Sequence, residues 1–155
     1  MKPSLVLRIA LGYLALFSLQ IGVWALLAPQ SFYDDFPGLG RSWVAVDGPY
    51  NEHLVRDVGA LNLALALVVI LAAVRLSREL ISVAGVATLA WGIPHLVYHL
   101  FERDDLSVAD QVASLGGLAT FVAFAGFVLV IGPGMAGRIG DSQAPGSTAT
   151  AGAPR

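Results

Sequence analysis

The chain has no cysteine, which excludes disulfides, thiolate metal sites, iron–sulfur clusters and cysteine-based redox chemistry together. Charge is nearly as scarce. Only 13% of the 155 residues are Asp, Glu, Lys or Arg, about half the share of an ordinary soluble domain. Positive charge is not in excess either. Nine basic residues against eleven acidic give a net charge of −2, so nucleic acid is not expected as a partner. No phosphate loop, dinucleotide fingerprint or nucleophile elbow occurs, and no internal repeat. What fills the chain is apolar: 56% hydrophobic residues and a mean hydropathy of +0.72. This composition predicts an all-α integral membrane protein whose first partner is the lipid bilayer.

Four charge-poor runs carry that prediction. The first follows Lys2 and Arg8, runs from Ile9 and crosses by Ala28. It is too long for the apolar core of a signal peptide, and Leu26-Leu27-Ala28-Pro29 lacks a small-x-small cleavage site. It therefore reads as a retained first span. The second runs from Leu54 to Val74, the third from Leu80 to Phe101, and the fourth from Gln111 to Ile131. The expected fold is a four-helix bundle over residues 1–131, with a 25-residue ordered loop (29–53) between the first two spans. Gly116/Thr120 and Ala119/Ala123 put small residues four apart on the fourth span, a spacing suited to close helix packing. From 132 to 155 the chain is Gly, Pro, Ala, Ser and Thr with little to bury, and a disordered tail is expected.

The loop is polar and aromatic. Phe32, Tyr33, Phe36, Trp43 and Tyr50 suit the membrane interface, and Pro37-Gly38 and Asp47-Gly48-Pro49 are turn signals. Tyr33-Asp34-Asp35 reads as an interfacial turn in preference to a cation site. Asn51 is placed to cap the second span, and Ser107-x-x-Asp110 the fourth. Four spans put both termini on one side, with Lys2, Arg8, Arg75, Arg78 and Arg138. The other side collects Arg41, Arg56 and Arg103 against nine carboxylates. The positive-inside rule then places both termini in the cytoplasm and the acidic loops outside.

All three histidines fall on the acidic side. His53 and Asp57 share a face at i, i+4 on the second span. Trp91, His95, His99 and Glu102 make one stripe on the third. Arg56 is turned about 100° from Asp57, so it serves a different neighbour. Asp57 lies roughly 5 Å and His95 roughly 9 Å in from the helix ends, at matching depths. His53, Asp57, His95 and His99 are ligand types for zinc or non-haem iron, and two of the histidines suit the axial positions of a haem. The competing reading is a hydrogen-bonded polar cluster of His53, Arg56, Asp57, His95, His99 and Glu102 that needs no cofactor.

Ser31-Phe32-Tyr33-Asp34-Asp35-Phe36-Pro37, Asn51-Glu52-His53-Leu54-Val55-Arg56-Asp57-Val58-Gly59-Ala60 and Pro94-His95-x-x-x-His99 resemble a group of small, uncharacterised membrane proteins of actinobacteria. The resemblance covers roughly residues 30–110. It is similar to DoxX-like four-helix proteins in size and span count only. It implies a fold and a compartment, the bacterial plasma membrane, and no function. Two functional readings therefore stand. One is a binding or interaction module whose outer polar mouth meets a membrane-protein partner, a second copy, a lipid headgroup or a small ligand. The other is a metal- or haem-dependent membrane oxidoreductase or hydrolase.

Overall fold

The computed structural model describes residues 3–102 and 106–143, the last four by backbone alone. Lys2, Arg103, Asp104 and Asp105, counted above for orientation, and residues 144–155 of the expected tail lie outside the described residues. The described chain forms six α-helices and no strand: α1 Pro3–Leu27, α2 Pro29–Asp35, α3 Glu52–Arg75, α4 Arg78–Phe101, α5 Val108–Val130 and α6 Gly132–Gln143. A single 3-10 turn, Ala45–Asp47, precedes α3. Helices α1, α3, α4 and α5 are long and apolar enough to cross a membrane. Large apolar side chains cover their outer surface, among them Leu16, Leu67, Val83 and Val112. Such a surface suits hydrocarbon and would be a liability in water.

Local chemistry sets the helix starts. Leu54 N–H donates to the Asn51 side chain at 3.2 Å, Leu80 N–H to Ser77 at 3.3 Å and Asp110 N–H to Ser107 at 3.2 Å, each satisfying an otherwise orphaned donor. Leu76 turns left-handed to end α3, leaving Leu76 and Ser77 as the whole connection to α4. Inside, Leu7, Leu11 and Leu14 of α1, Val69 of α3, Ile81 of α4 and Phe121 and Val128 of α5 form one closed core.

Helix pairing follows glycine. Burial from lipid offers little hydrophobic gain, so close backbone approach matters more. A Cβ on Gly59 would lie 2.6 Å from Leu26 N, and one on Gly22 2.7 Å from Leu63 N. α1 and α3 therefore pack backbone to backbone, and α4 packs most extensively on α5, where a Cβ on Gly85 would meet Leu129 Cβ at 2.8 Å. The α3–α4 contact is looser, with a groove of about 190 Å³ lined by Leu61, Ala64, Leu65, Val68, Ala87 and Trp91. The small residues expected to pack α5 do not do so. Gly116, Ala119, Thr120 and Ala123 are exposed, and nothing lies within 4 Å of a Cβ built on Gly116.

Two further expectations need correction. Residues 132–143 are not a disordered tail. They form α6, whose Met135 and Ala136 are buried in the main core against the ends of α1, α4 and α5. The segment between the first two long helices is also more than a loop, because its first seven residues are the helix α2, opened by Pro29 in the first turn.

Candidate functional site

The site sits at the end of the protein where α1 finishes, α3 starts, α4 finishes and α5 starts. An aromatic chain builds it. Trp24 of α1 meets Phe32 of α2 edge-on at 5.9 Å, Phe32 meets Phe36 at 4.9 Å, and Phe36 meets Trp43 at 6.1 Å. Phe32 is buried in this second, smaller core with Ile21, Ala25 and Val55. Polar bonds hold the aromatics in place. Trp24 Nε1–H donates to Ser31 Oγ at 3.3 Å, and Ser31 donates in turn to Asp35 at 3.0 Å. Asp34 accepts from Gln30 at 2.8 Å. The two aspartates are thus engaged within α2.

After α2 the chain turns at Pro37–Gly40, where Gly38 and Gly40 take left-handed φ of 97° and 72° that favour glycine. Trp43 N–H closes the turn on Phe36 C=O at 2.7 Å. The segment then crosses to α5. Trp43 Nε1–H donates to Asp110 Oδ1 at 2.7 Å, the Arg41 guanidinium pairs with the same carboxylate, and Ser107 Oγ–H donates to its other oxygen at 2.6 Å. Asp110 is thereby shared between the start of its own helix and a segment nearly seventy residues earlier, and its side chain is only 17% exposed. Tyr33 O–H donates to Gly48 C=O at 2.6 Å and packs on Tyr50 at 5.2 Å, which ties the far end of the segment back to α2. Burial first, and the neighbouring Glu52 carboxylate second, hold the Tyr50 phenol above its ordinary pKa.

The expected cluster divides into four. On α3, His53 Nε2 lies 3.2 Å from Asp57, but the two side chains are 88% and 64% exposed. Arg56 does serve other neighbours: it donates to Glu52 at 2.8 Å and to the Leu26 carbonyl at the end of α1. On α4, Trp91 stacks on His95 with centroids 4.7 Å apart, and His95 meets His99 edge-on at 4.7 Å. Trp91 also meets Phe121 of α5 at 5.5 Å. Both imidazoles are half-buried and make no hydrogen bond to another described residue. Glu102 caps α4 through its backbone, and its side chain is exposed.

His53, Asp57, His95 and His99 do not converge as a metal set. Among the described residues no three His, Asp or Glu side chains gather in a group able to hold a metal ion. The reason is rotational. The buried stripe of α3 is Val55, Gly59, Asn62, Ala66 and Val69, facing α1, and Asp57 is turned about 200° from both Val55 and Gly59. The buried stripe of α4, which includes Ile81, Gly85, Thr88 and Gly92, continues at helical spacing to His95 and His99. Matching depths along the helices did not secure matching faces. The Asn62 amide donates to Val58 C=O of its own helix at 3.0 Å, and its buried Oδ1 has no hydrogen-bond partner among the described residues.

Asp110 is the residue that sequence reasoning valued too little. Its cap signature with Ser107 was visible, but a cap engages the carboxylate only in part, and an Arg-x-Trp facing it is the signal for a longer-range bond.

Residues 6–101 match a family described as a domain of unknown function, DUF4345, which is more than half of the chain. The protein belongs to the DUF4345 family. The match spans most of α1 through the end of α4, with every histidine and the Arg41–Trp43 segment inside it and Asp110 beyond it. No curated protein and no solved structure matches the chain. What is established is thus a DUF4345 protein with four helices able to cross a membrane, the mark of a multi-pass membrane protein.

Proposed function

We propose that this DUF4345 protein is a non-enzymatic binding or interaction module: an integral membrane four-helix bundle in the bacterial plasma membrane with both termini cytoplasmic. Its working face is the external end where the 36–50 segment is clasped to α5. One observation carries the reading. Trp43 and Arg41 both reach the Asp110 carboxylate, so a segment without a long helix of its own is held over the ends of the spans. A preformed face of this kind lowers the ordering cost of binding. Beside it, His95 and His99 present half-buried imidazole nitrogens in an aromatic setting of Trp91 and Tyr98. They suit a polar group of a membrane-protein partner, with a second copy of the chain as one candidate. The basic residues of the opposite end support the orientation.

The experiment places a photo-crosslinking amino acid at Tyr98 in living cells, with Leu67 on the lipid-facing side of α3 as control. A discrete protein adduct is expected at Tyr98, absent at Leu67 and lost when His95 and His99 are replaced by Ala. Equal labelling at both positions, or none at Tyr98, overturns the reading. Elemental analysis and an absorbance spectrum of the same purified protein decide the alternative. A stoichiometric metal or haem band that disappears with His95→Ala would make the protein a cofactor enzyme instead.

A further inference from the structure

The opposite end of the molecule holds a second charged surface, and its chemistry differs. Leu7 of α1, Ile81 of α4 and Gly132 of α6 meet there, since a Cβ on Gly132 would lie 2.7 Å from Ile81 and 3.2 Å from Leu7. That contact brings Arg8, Arg75, Arg78 and Arg138 to one end of the protein, all exposed. Among the residues whose side chains are described, none of the four is paired with a carboxylate, and Glu79 is the acidic side chain beside them.

α6 is what makes this a built surface. Met135 and Ala136 anchor it in the main core while Arg138 faces out. The guanidinium of Arg78 lies against it, 3.8–3.9 Å from the position of a Gly137 Cβ, which is van der Waals range. Arg78 and Arg138 thus flank one short helix at the ends of four apolar spans, the depth at which lipid phosphates lie. Guanidinium groups pair with phosphate through two parallel hydrogen bonds, and unpaired ones at this level have the headgroup layer as their nearest source of anions.

We infer that α6 and the arginines around it form a binding site for anionic phospholipid headgroups, with Arg75, Arg78 and Arg138 as its phosphate-binding residues. The site is independent of the binding face at the other end.

The test uses the full-length protein in nanodiscs of phosphatidylcholine with or without phosphatidylglycerol, and native mass spectrometry of the lipid retained on release. Wild-type protein should retain phosphatidylglycerol selectively. Each of R75Q, R78Q and R138Q should weaken retention about fivefold, and raised salt should weaken it further. E79Q, which removes the exposed carboxylate at the same end, should retain phosphatidylglycerol at least as well as wild type does. Glutamine keeps most of the stem length, and each substitution is single and at an exposed position. Equal retention of the two lipids by wild type, or undiminished selectivity in the R75Q and R138Q variants, overturns the inference. Displacement of the lipid by millimolar inorganic phosphate would overturn it in favour of a free-phosphate site.

Discussion

Replacing Gly59 with Ala adds one methyl group where α1 and α3 are closest. The new Cβ would stand 2.6 Å from Leu26 N and 3.0 Å from Ala25 C and Leu26 Cα. Ordinary contact is about 3.5–4.0 Å, so the helices must part by roughly 1 Å. All three opposing atoms are backbone, which cannot rotate away. Overpacking of this kind costs about 1–3 kcal/mol. Gly22→Ala meets Leu63 N at 2.7 Å and should cost a similar amount. Because one separation of α1 from α3 relieves both clashes, the double variant should cost clearly less than the sum. Gly116→Ala is the internal control. Nothing lies within 4 Å of its Cβ, and alanine's better helix propensity is worth up to about 1 kcal/mol, so it should be neutral or stabilising. Helix content followed by circular dichroism, as SDS displaces a mild detergent, reads all four. A Gly59→Ala protein as resistant as wild type, or a Gly116→Ala protein as sensitive as Gly59→Ala, would refute the assigned pairing.

Two other outcomes follow from the same packing, and a third from the charge distribution. Asn62→Leu removes a fully buried carboxamide whose Oδ1 has no partner among the described residues, and should raise stability by about 1 kcal/mol; a large loss would reveal a partner for that oxygen. Met135→Ala should lower stability by about 2 kcal/mol in the same SDS titration, since α6 is docked through that side chain, whereas a freely moving tail would show no change. Cysteine introduced at Asp47 should react with an impermeant thiol reagent in intact cells while one at Ser77 does not; the reverse pattern inverts the proposed orientation.

Much of this architecture was readable in the chain because its strongest signals are local. The four long helices follow from charge-poor runs, and their starts from Asn51 and Ser107, whose side chains act on their own helices. What escaped depends on rotation and distant contact. Gly22 and Gly59 look like any other glycine until their helices are paired, whereas the more conspicuous Gly116/Thr120 and Ala119/Ala123 spacing faces outward. The rotation of α3 that buries Gly59 and Asn62 against α1 is what carries His53 and Asp57 away from His95 and His99. Gly132-Pro133-Gly134 reads as linker, yet Met135 and Ala136 find a place in the core that composition alone cannot foresee. The half-burial of His95 was more accessible, because Ile81, Gly85, Thr88 and Gly92 point along the helix toward it.

The central claim is that the Asp110 clasp holds the 36–50 segment as a preformed face. Pulsed electron resonance between spin labels at Leu39, which is 98% exposed, and Val108, 77% exposed, measures this directly in reconstituted protein. Asp110→Asn keeps the shape but removes the charge that pairs with Arg41. The account predicts one narrow distance distribution for the parent protein and a broad one for Asp110→Asn. A broad distribution in the parent, or an unchanged narrow one in Asp110→Asn, would contradict it.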